Sequence, residues 1–278
     1  IRDREYINGI DLDGNNIHLD NEDGLLSSGT PQIQNTWMDA KIGNIVVTPR
    51  NGKAIEINAL WYNALKIMES FANLYKEKEL SKKYAELAKK CKESFIKKFY
   101  NKKRKCFDDL VDDNSIRPNQ LFAIGLHYPV VEPNSVEAKT AFETVTKKLL
   151  TPYGLKTLAK GEKCYREIYE GDQIKRDMSY HQGITWPWLL GIYSDSFLNI
   201  ISAEKNKTKK KELEEQYSKF AQNVEDTFYN EMYNRSTVGS ISELYDSAKP
   251  YEAKGAFAQA WSVAEVFRII EKRNKWES

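Results

Sequence analysis

Residues 35–65, NTWMDAKIGNIVVTPRNGKAIEINALWYNAL, decide how the rest of the chain is read. They set two carboxylates (Asp39, Glu56), two tryptophans (Trp37, Trp61) and a lone arginine (Arg50) around one loop, which feeds straight into a helix. Over about residues 54–75 the apolar positions fall in two interleaved stripes: Leu60, Ala64, Ile67, Phe71, Leu74 and Ile57, Trp61, Leu65, Met68, Ala72, Tyr75. Each stripe has the spacing of one helix face. A helix apolar on two sides is expected to be buried on both.

The helix that follows, about 80–99, is of another kind. It has one stripe (Leu80, Tyr84, Leu87, Cys91, Phe95, Phe99) set against a face of Lys and Glu, the pattern of a surface helix. The alternation continues. Helices apolar around most of their circumference are predicted at about 118–126 (with Pro118 at a favoured first-turn position), 186–201 and 256–270. Amphipathic ones are predicted at about 135–149 and 209–232. Residues 1–34 are rich in Asp, Asn and Gly, and are expected to hold a short hairpin and a loop. Buried and surface helices in turn, with hardly a convincing strand, predict an all-α chain in two concentric layers, an (α/α)6 toroid, as one domain over residues 1–278. A plain helical array would not sort its helices so regularly. Seven long helices are read where a ring of six pairs needs about twelve. The ring is therefore expected to be incomplete on its N-terminal side.

The unusual side chains stand just before the buried helices. The clusters are Trp37 to Arg50, Arg117-Pro118-Asn119-Gln120, Arg176-Asp177-Met178-Ser179-Tyr180-His181-Gln182-Gly183, and Ser242-Glu243-Leu244-Tyr245-Asp246, with Gln259 and Trp261 opening the last helix. If the inner helices run the same way, these loops meet at one end and form a single bowl. Its expected lining is Trp37, Arg50, Glu56, Asn58, Trp61, Arg117, Asn119, Gln120, Asp177, Tyr180, His181, Gln182, Trp186, Gln259 and Trp261. Such a lining suits a sugar. Aromatic rings cover the apolar face of a pyranose, and carboxylates and amides pair with its hydroxyls. Trp37 and Trp261 are the favoured platforms. Glycoside hydrolysis needs two carboxylates about the scissile bond, one protonated and one ionised, and the clusters hold several.

Other classes are excluded. The 42 basic and 40 acidic residues nearly cancel to a net charge of +2, which fits neither nucleic acid nor membrane surface. Three widely spaced cysteines (Cys91, Cys106, Cys164) and three histidines make neither a disulfide framework nor a metal motif. No cofactor or metal is expected. The chain opens on Ile1 with no signal pattern, so a cytoplasmic fragment of a longer protein is the expectation.

The motifs NTWMDAK, VTPRNGKAIEINALWYNAL, RPNQLFAIGL, TPYGLKTL, RDMSYHQGITWPWLLG, SISELYD and AQAWSVAEVFR occur in this order. Together they resemble the glucosidase domain of glycogen debranching enzymes, an amylo-α-1,6-glucosidase family whose fold is the (α/α)6 toroid related to glucoamylase. The resemblance runs from Gly24 to Arg268. It implies inverting, exo-acting hydrolysis of α-1,6-linked glucosyl stubs on glycogen or limit dextrin, releasing glucose. The family's general acid falls on Asp39 and its general base on Glu243. Beside Trp37 and Met38, Asp39 is expected to be desolvated enough to hold its proton near neutrality. An inverting pair should stand about 6.5–9.5 Å apart, with room for a water. Two departures stand out. The family's upstream G-Y-P-W-F…W-G-R-D segment is not in this chain, and Lys156 replaces the usual Arg of GLRTL. Transferase activity is not implied.

Plainer readings stand beside these. Asp39 could cap a helix or pair in a loop, and Asp246 rivals Glu243 as base. Glu56 suits a helix first turn, Asp177 could bridge to Arg176 or Arg50, and His181 could be a structural imidazole. One of Trp186 and Trp188, either side of Pro187, should be core. Trp276 is expected to lie away from the site. The alternatives in function are another inverting toroid glycosidase, glucoamylase-like or trehalase-like, and a glycan-binding fragment without catalysis.

Overall fold

Helix-forming periodicity accounts for about half of the described residues. The computed structural model describes residues 6–7, 10–11, 14–235 and 238–277, and the opening phrase Ile1–Glu5 and the side chain of Trp276 lie outside what it describes. The protein is helix-rich, with eight α-helices among the described residues. They are α1 (Ile55–Leu74), α2 (Lys78–Phe99), α3 (Phe122–Gly125, entered by a 3-10 turn at Pro118–Leu121), α4 (Val136–Lys148), α5 (Gln173–Ser179), α6 (Leu189–Ala203), α7 (Lys207–Asn234) and α8 (Ala260–Glu277). Side-chain caps fix three of the starts. Ser135 accepts from the Ala138 N–H at 3.1 Å, Asp172 from Lys175 at 2.9 Å and Asn206 from Lys209 at 3.0 Å. No described helix is long and apolar enough to cross a membrane.

The helices pack in two rows. α1, α3, α6 and α8 touch in succession, while α2 lies on α1, α4 on α6, and α7 against α6 and α8. The outer helices bury one stripe each, although Leu80 of α2 and Val136 of α4, both expected to face inward, are exposed at the helix starts. On α2 that stripe is Ala88, Cys91, Phe95 and Phe99, with Phe95 and Phe99 in ring contact at 4.7 Å. α6, in mid-row, is buried nearly all round.

α1 corrects an expectation. It buries Ile55, Ala59, Tyr62, Leu65 and Ala72, whereas Leu60, Met68, Phe71, Leu74 and Tyr75 are exposed. The helix ends the inner row, and the exposed residues come from both predicted stripes, Leu60, Phe71 and Leu74 from one and Met68 and Tyr75 from the other. α8, at the other end, likewise exposes Trp261 and Phe267.

A second correction concerns strands. An antiparallel five-stranded sheet runs in the order Ala253–Lys254, Leu244–Tyr245, Thr185–Trp186, Gly154–Lys156, Leu150–Thr151. Its strands have two or three residues, too few to show a period. Trp186, read as the start of a helix, is therefore in a strand. Pro187 holds the residue before it extended, and α6 begins only at Leu189. Gly154, at φ +148°, lies so close to the Trp186 carbonyl that a Cβ there would collide with it. Pairing Thr185 with Tyr245 draws the loop before Trp186 beside the loop that carries Glu243. The sheet, more than the helices, joins those two clusters.

Candidate active site

Arg50 is enclosed at the base of the site. Its Nη1 and Nη2 donate to the two Glu56 carboxylate oxygens at 2.5 and 2.6 Å, and its Nε and Nη2 donate to Asp109 at 2.7 and 3.1 Å. Burial works against this charge, but the carboxylates of Asp109 and Glu56 outweigh it and hold the guanidinium above its ordinary pKa. Asp109 also accepts from Asn119 Nδ2 at 2.8 Å, and Asn119 Oδ1 takes the indole N–H of Trp37 at 2.8 Å. Arg117 adds a second buried cation, with its Nε 3.6 Å from Asp109. Burial lowers its pKa, against the pull of Asp109. Arg117 Nη1 donates to the carbonyls of Thr157 (3.1 Å) and His181 (2.7 Å), and Nη2 to Gln182 Oε1 at 3.0 Å. Gln182 in turn donates to the Val47 carbonyl at 3.0 Å and the Thr48 hydroxyl at 3.1 Å. Two arginines thus balance two carboxylates, and one network ties together three of the loops that the sequence grouped.

This network corrects part of the expected lining. Arg50, Glu56, Asn58, Asn119 and Gln120 are all at most 2% exposed, and their polar atoms are spent on the protein itself. Asn58 bonds the backbone of Leu26 and Ala54. Gln120 bonds the N–H of Phe107 and the Arg117 carbonyl. Arg117 and Gln182 are buried as well. These residues lie beneath the bowl and hold its loops. Trp61 is apart from the others, giving its indole N–H to the Gly24 carbonyl at 3.1 Å.

Above this layer the rings gather. Trp37 meets His181, Trp186 and Trp188 edge-on at 5.2, 5.6 and 5.0 Å. Trp188 stacks on Trp261 at 4.9 Å, and His181 on Trp186 at 5.5 Å. Trp186 is core, whereas Trp261 remains partly open to solvent. His181 is buried with neither ring nitrogen hydrogen-bonded to the protein. Burial first, then the charges of Arg117 and Arg50, lowers its pKa to about 3. It is therefore neutral when folded, whereas an unfolded histidine takes a proton below about pH 6.5. The stability this confers is present above pH 6.5 and is lost as pH falls toward 3. Between pH 7 and 5 the loss is about 2 kcal/mol. Urea unfolding at both pH values should show His181→Phe losing less stability than the parent over that interval.

The two assigned carboxylates stand differently. Glu243 is half-buried. The Tyr180 hydroxyl donates to its Oε1 and the Ala256 N–H to its Oε2, the latter at 2.8 Å. Asp39 is exposed, which corrects the desolvation expected of it. Met38 turns inward, its sulfur 3.9 Å from Arg117 Nη1 and 3.7 Å from Asn119 Nδ2, so it gives Asp39 no cover. Both carboxylates bear on Tyr180. Burial, then the hydrogen bond and charge of Glu243, then Tyr169 and Asp39, push that phenol's pKa well up. Asp246 is buried and accepts the Tyr169 N–H at 2.7 Å, and burial raises its pKa. The rival base is therefore shut away. A cleft of about 560 Å³ opens beside Glu243, lined also by Tyr169, Arg176, Lys254, Gly255 and Ala256. Asp177, on α5, is half-buried and near Tyr169, and Gln259 turns its side-chain oxygen to the Ala260 N–H at 3.1 Å. Asp109 and Tyr169 escaped the sequence reading, because a loop carboxylate in CFDDL and a tyrosine in REIYEG carry no spacing signal.

Residues 3–268 match the sequence family described as amylo-alpha-1,6-glucosidase. The glycogen debranching enzyme of Saccharomyces cerevisiae is 28% identical, over 65% of this chain and 15% of that one. The chain thus spans about 15% of the length of that curated relative. Among solved structures, a sialidase superposes with a TM-score of 0.59 at 15% identity, over 81% of this chain and 20% of that one. At that identity the likeness is one of fold alone. A glycoside hydrolase family 15 glucoamylase from Hypocrea jecorina gives a TM-score of 0.46 at 16% identity, over 87% of this chain and 45% of that one. With residues 3–268 matched by one family, the chain belongs to the amylo-alpha-1,6-glucosidase family.

Proposed function

We propose that this chain is the glucosidase part of a debranching enzyme, an inverting, exo-acting hydrolase of single α-1,6-linked glucosyl stubs on glycogen or limit dextrin. Its two helix rows would be an arc of an (α/α)6 toroid, and it would work in the cytoplasm without metal or cofactor. In the reaction, a water oxygen bonds to the anomeric carbon as the bond to the glycosidic oxygen breaks. Glu243 takes the water's proton and Asp39 gives its own to the leaving oxygen, so free glucose is released with inverted configuration.

One observation supports this reading above the others. A carboxylate with a donor on each oxygen, Glu243, shares the environment of Tyr180 with an exposed carboxylate, Asp39, beside a wall of tryptophans. A donor on each oxygen fixes the carboxylate in place and leaves lone pairs for a water's proton. The acid must reach the leaving oxygen, and an exposed Asp39 can do so. A seated glucan would supply the water exclusion that Met38 does not.

Proton NMR of this chain with a dextrin bearing single α-1,6 glucosyl stubs should show β-glucose appearing first and mutarotating later. Early α-glucose would rule out inversion. Cleavage of α-1,4 chains or trehalose in preference to the stubs would move the assignment to another toroid glycosidase. Bound dextrin without glucose would mark the chain as a glycan-binding fragment.

A further inference from the structure

Glu243 is held from three sides, and only one of the holds is a side chain. The backbone provides the first. The Glu243 N–H donates to the Ala256 carbonyl at 2.8 Å, and the Ala256 N–H returns to Glu243 Oε2 at 2.8 Å. Gly255 provides the second by having no side chain. It sits at φ +71°, and a Cβ there would lie on Oε2. The third hold is the hydroxyl of Tyr180 on Oε1.

Tyr180 is itself fixed. Its carbonyl accepts the Trp186 indole N–H at 3.0 Å. Its ring packs against His181 at 4.7 Å, Trp186 at 4.9 Å and Tyr169 at 5.7 Å. With the phenol kept protonated by burial and by Glu243, the hydrogen bond can run in one direction only, from tyrosine to carboxylate. Both oxygens then act as acceptors, and each keeps one lone-pair direction free. The cleft of Tyr169, Arg176 and Lys254 begins at this carboxylate.

Resting on the glucosidase reading above, we propose that Tyr180 is the positioning residue of the general base. Its hydroxyl holds the Glu243 carboxylate in place and turns the remaining lone pair of Oε1 to the attacking water. A hydrogen bond to a charged group of this kind corresponds to about 10- to 100-fold in rate. Tyr180→Phe keeps the ring and its packing and removes only the donor. It should lower kcat by that factor and leave KM within about threefold. Gly255→Ala, pressing on the other oxygen, should lower kcat too.

The discriminating experiment combines two readouts. In a double-mutant cycle, Tyr180→Phe placed on Glu243→Gln should change the residual rate by less than about twofold. A merely structural tyrosine would cost the same in both backgrounds, and that result would overturn the proposal, as would an unchanged kcat for Tyr180→Phe alone. Proton NMR reads the contact without turnover. The Tyr180 hydroxyl proton should be downfield and slow to exchange in the parent, absent in Tyr180→Phe and moved upfield in Glu243→Gln. Glucose release without such a signal, or with one that Glu243→Gln does not move, overturns the role of Tyr180 alone. The signal without glucose from the parent overturns the glucosidase reading, and the role falls with it.

Discussion

Glu243→Gln is expected to lower glucose release by about 10³-fold, and Asp39→Asn by a similar factor, with both proteins folded as the parent. General acid and base groups each contribute about 10²–10⁴-fold. Glutamine keeps the size of glutamate, and its oxygen can still accept from Tyr180, but it can take no proton from water. Asparagine at position 39 has no acidic proton for the leaving oxygen. Asp39 is exposed, so the unfolding free energy of Asp39→Asn should stay within about 0.5 kcal/mol of the parent. Glu243→Gln sets its amide NH2 against one of the two donors to the carboxylate, which should cost about 1–3 kcal/mol of stability. The contrast is Asp246→Asn. This buried carboxylate holds the Tyr169 N–H at 2.7 Å, and its loss should appear in stability first. Steady-state glucose release and thermal unfolding on the three variants give the answer. If Asp246→Asn alone matched Glu243→Gln in rate while folding normally, the base would be Asp246.

The helices were legible because burial writes a period into sequence. Cys91, Phe95 and Phe99 of α2 and Tyr217, Val224 and Phe228 of α7, all read from the spacing, are buried as a helix face requires. Loops that precede inner helices do meet, as the contacts among Trp37, Asn119, Arg117, His181 and Gln182 show. Depth was not legible. A sugar-binding wall and the buried network beneath it use the same residue types, Arg, Glu, Asn, Gln and Asp. Asn58 and Asn119 could therefore have been in either layer until their partners were known. The sheet left no trace because its strands are too short for alternation. The Leu60–Phe71–Leu74 stripe of α1 has the composition of a packed face, yet Phe71 and Leu74 are exposed at 52% and 71%. Sequence marks a surface suited to burial, and what covers it is a separate matter.

Arg50→Met should destabilise the chain by about 3–5 kcal/mol, the cost of removing one partner from a buried ion pair. That corresponds to roughly a 10 °C fall in Tm. Methionine fills much of the volume, so the loss is electrostatic. Glu56 and Asp109 would face each other at 2% exposure, with Arg117 the nearest remaining cation, its Nε 3.6 Å from Asp109. Removing the stranded charges should give much of the stability back. Arg50→Met with Glu56→Gln and Asp109→Asn is expected to unfold well above the single variant, because a fully neutral interior costs less than a half-paired one. If the triple variant were no better than the single, the guanidinium would be acting through its shape and hydrogen bonds, and the charge argument would fail. Activity should follow the geometry as well. Asp109 holds Asn119, and Asn119 holds the Trp37 indole at 2.8 Å, two residues from Asp39. The triple variant, restored in stability but with this relay altered at Asp109, should still turn over more slowly than the parent. Such a result would separate what the buried network does for folding from what it does for the placing of the acid.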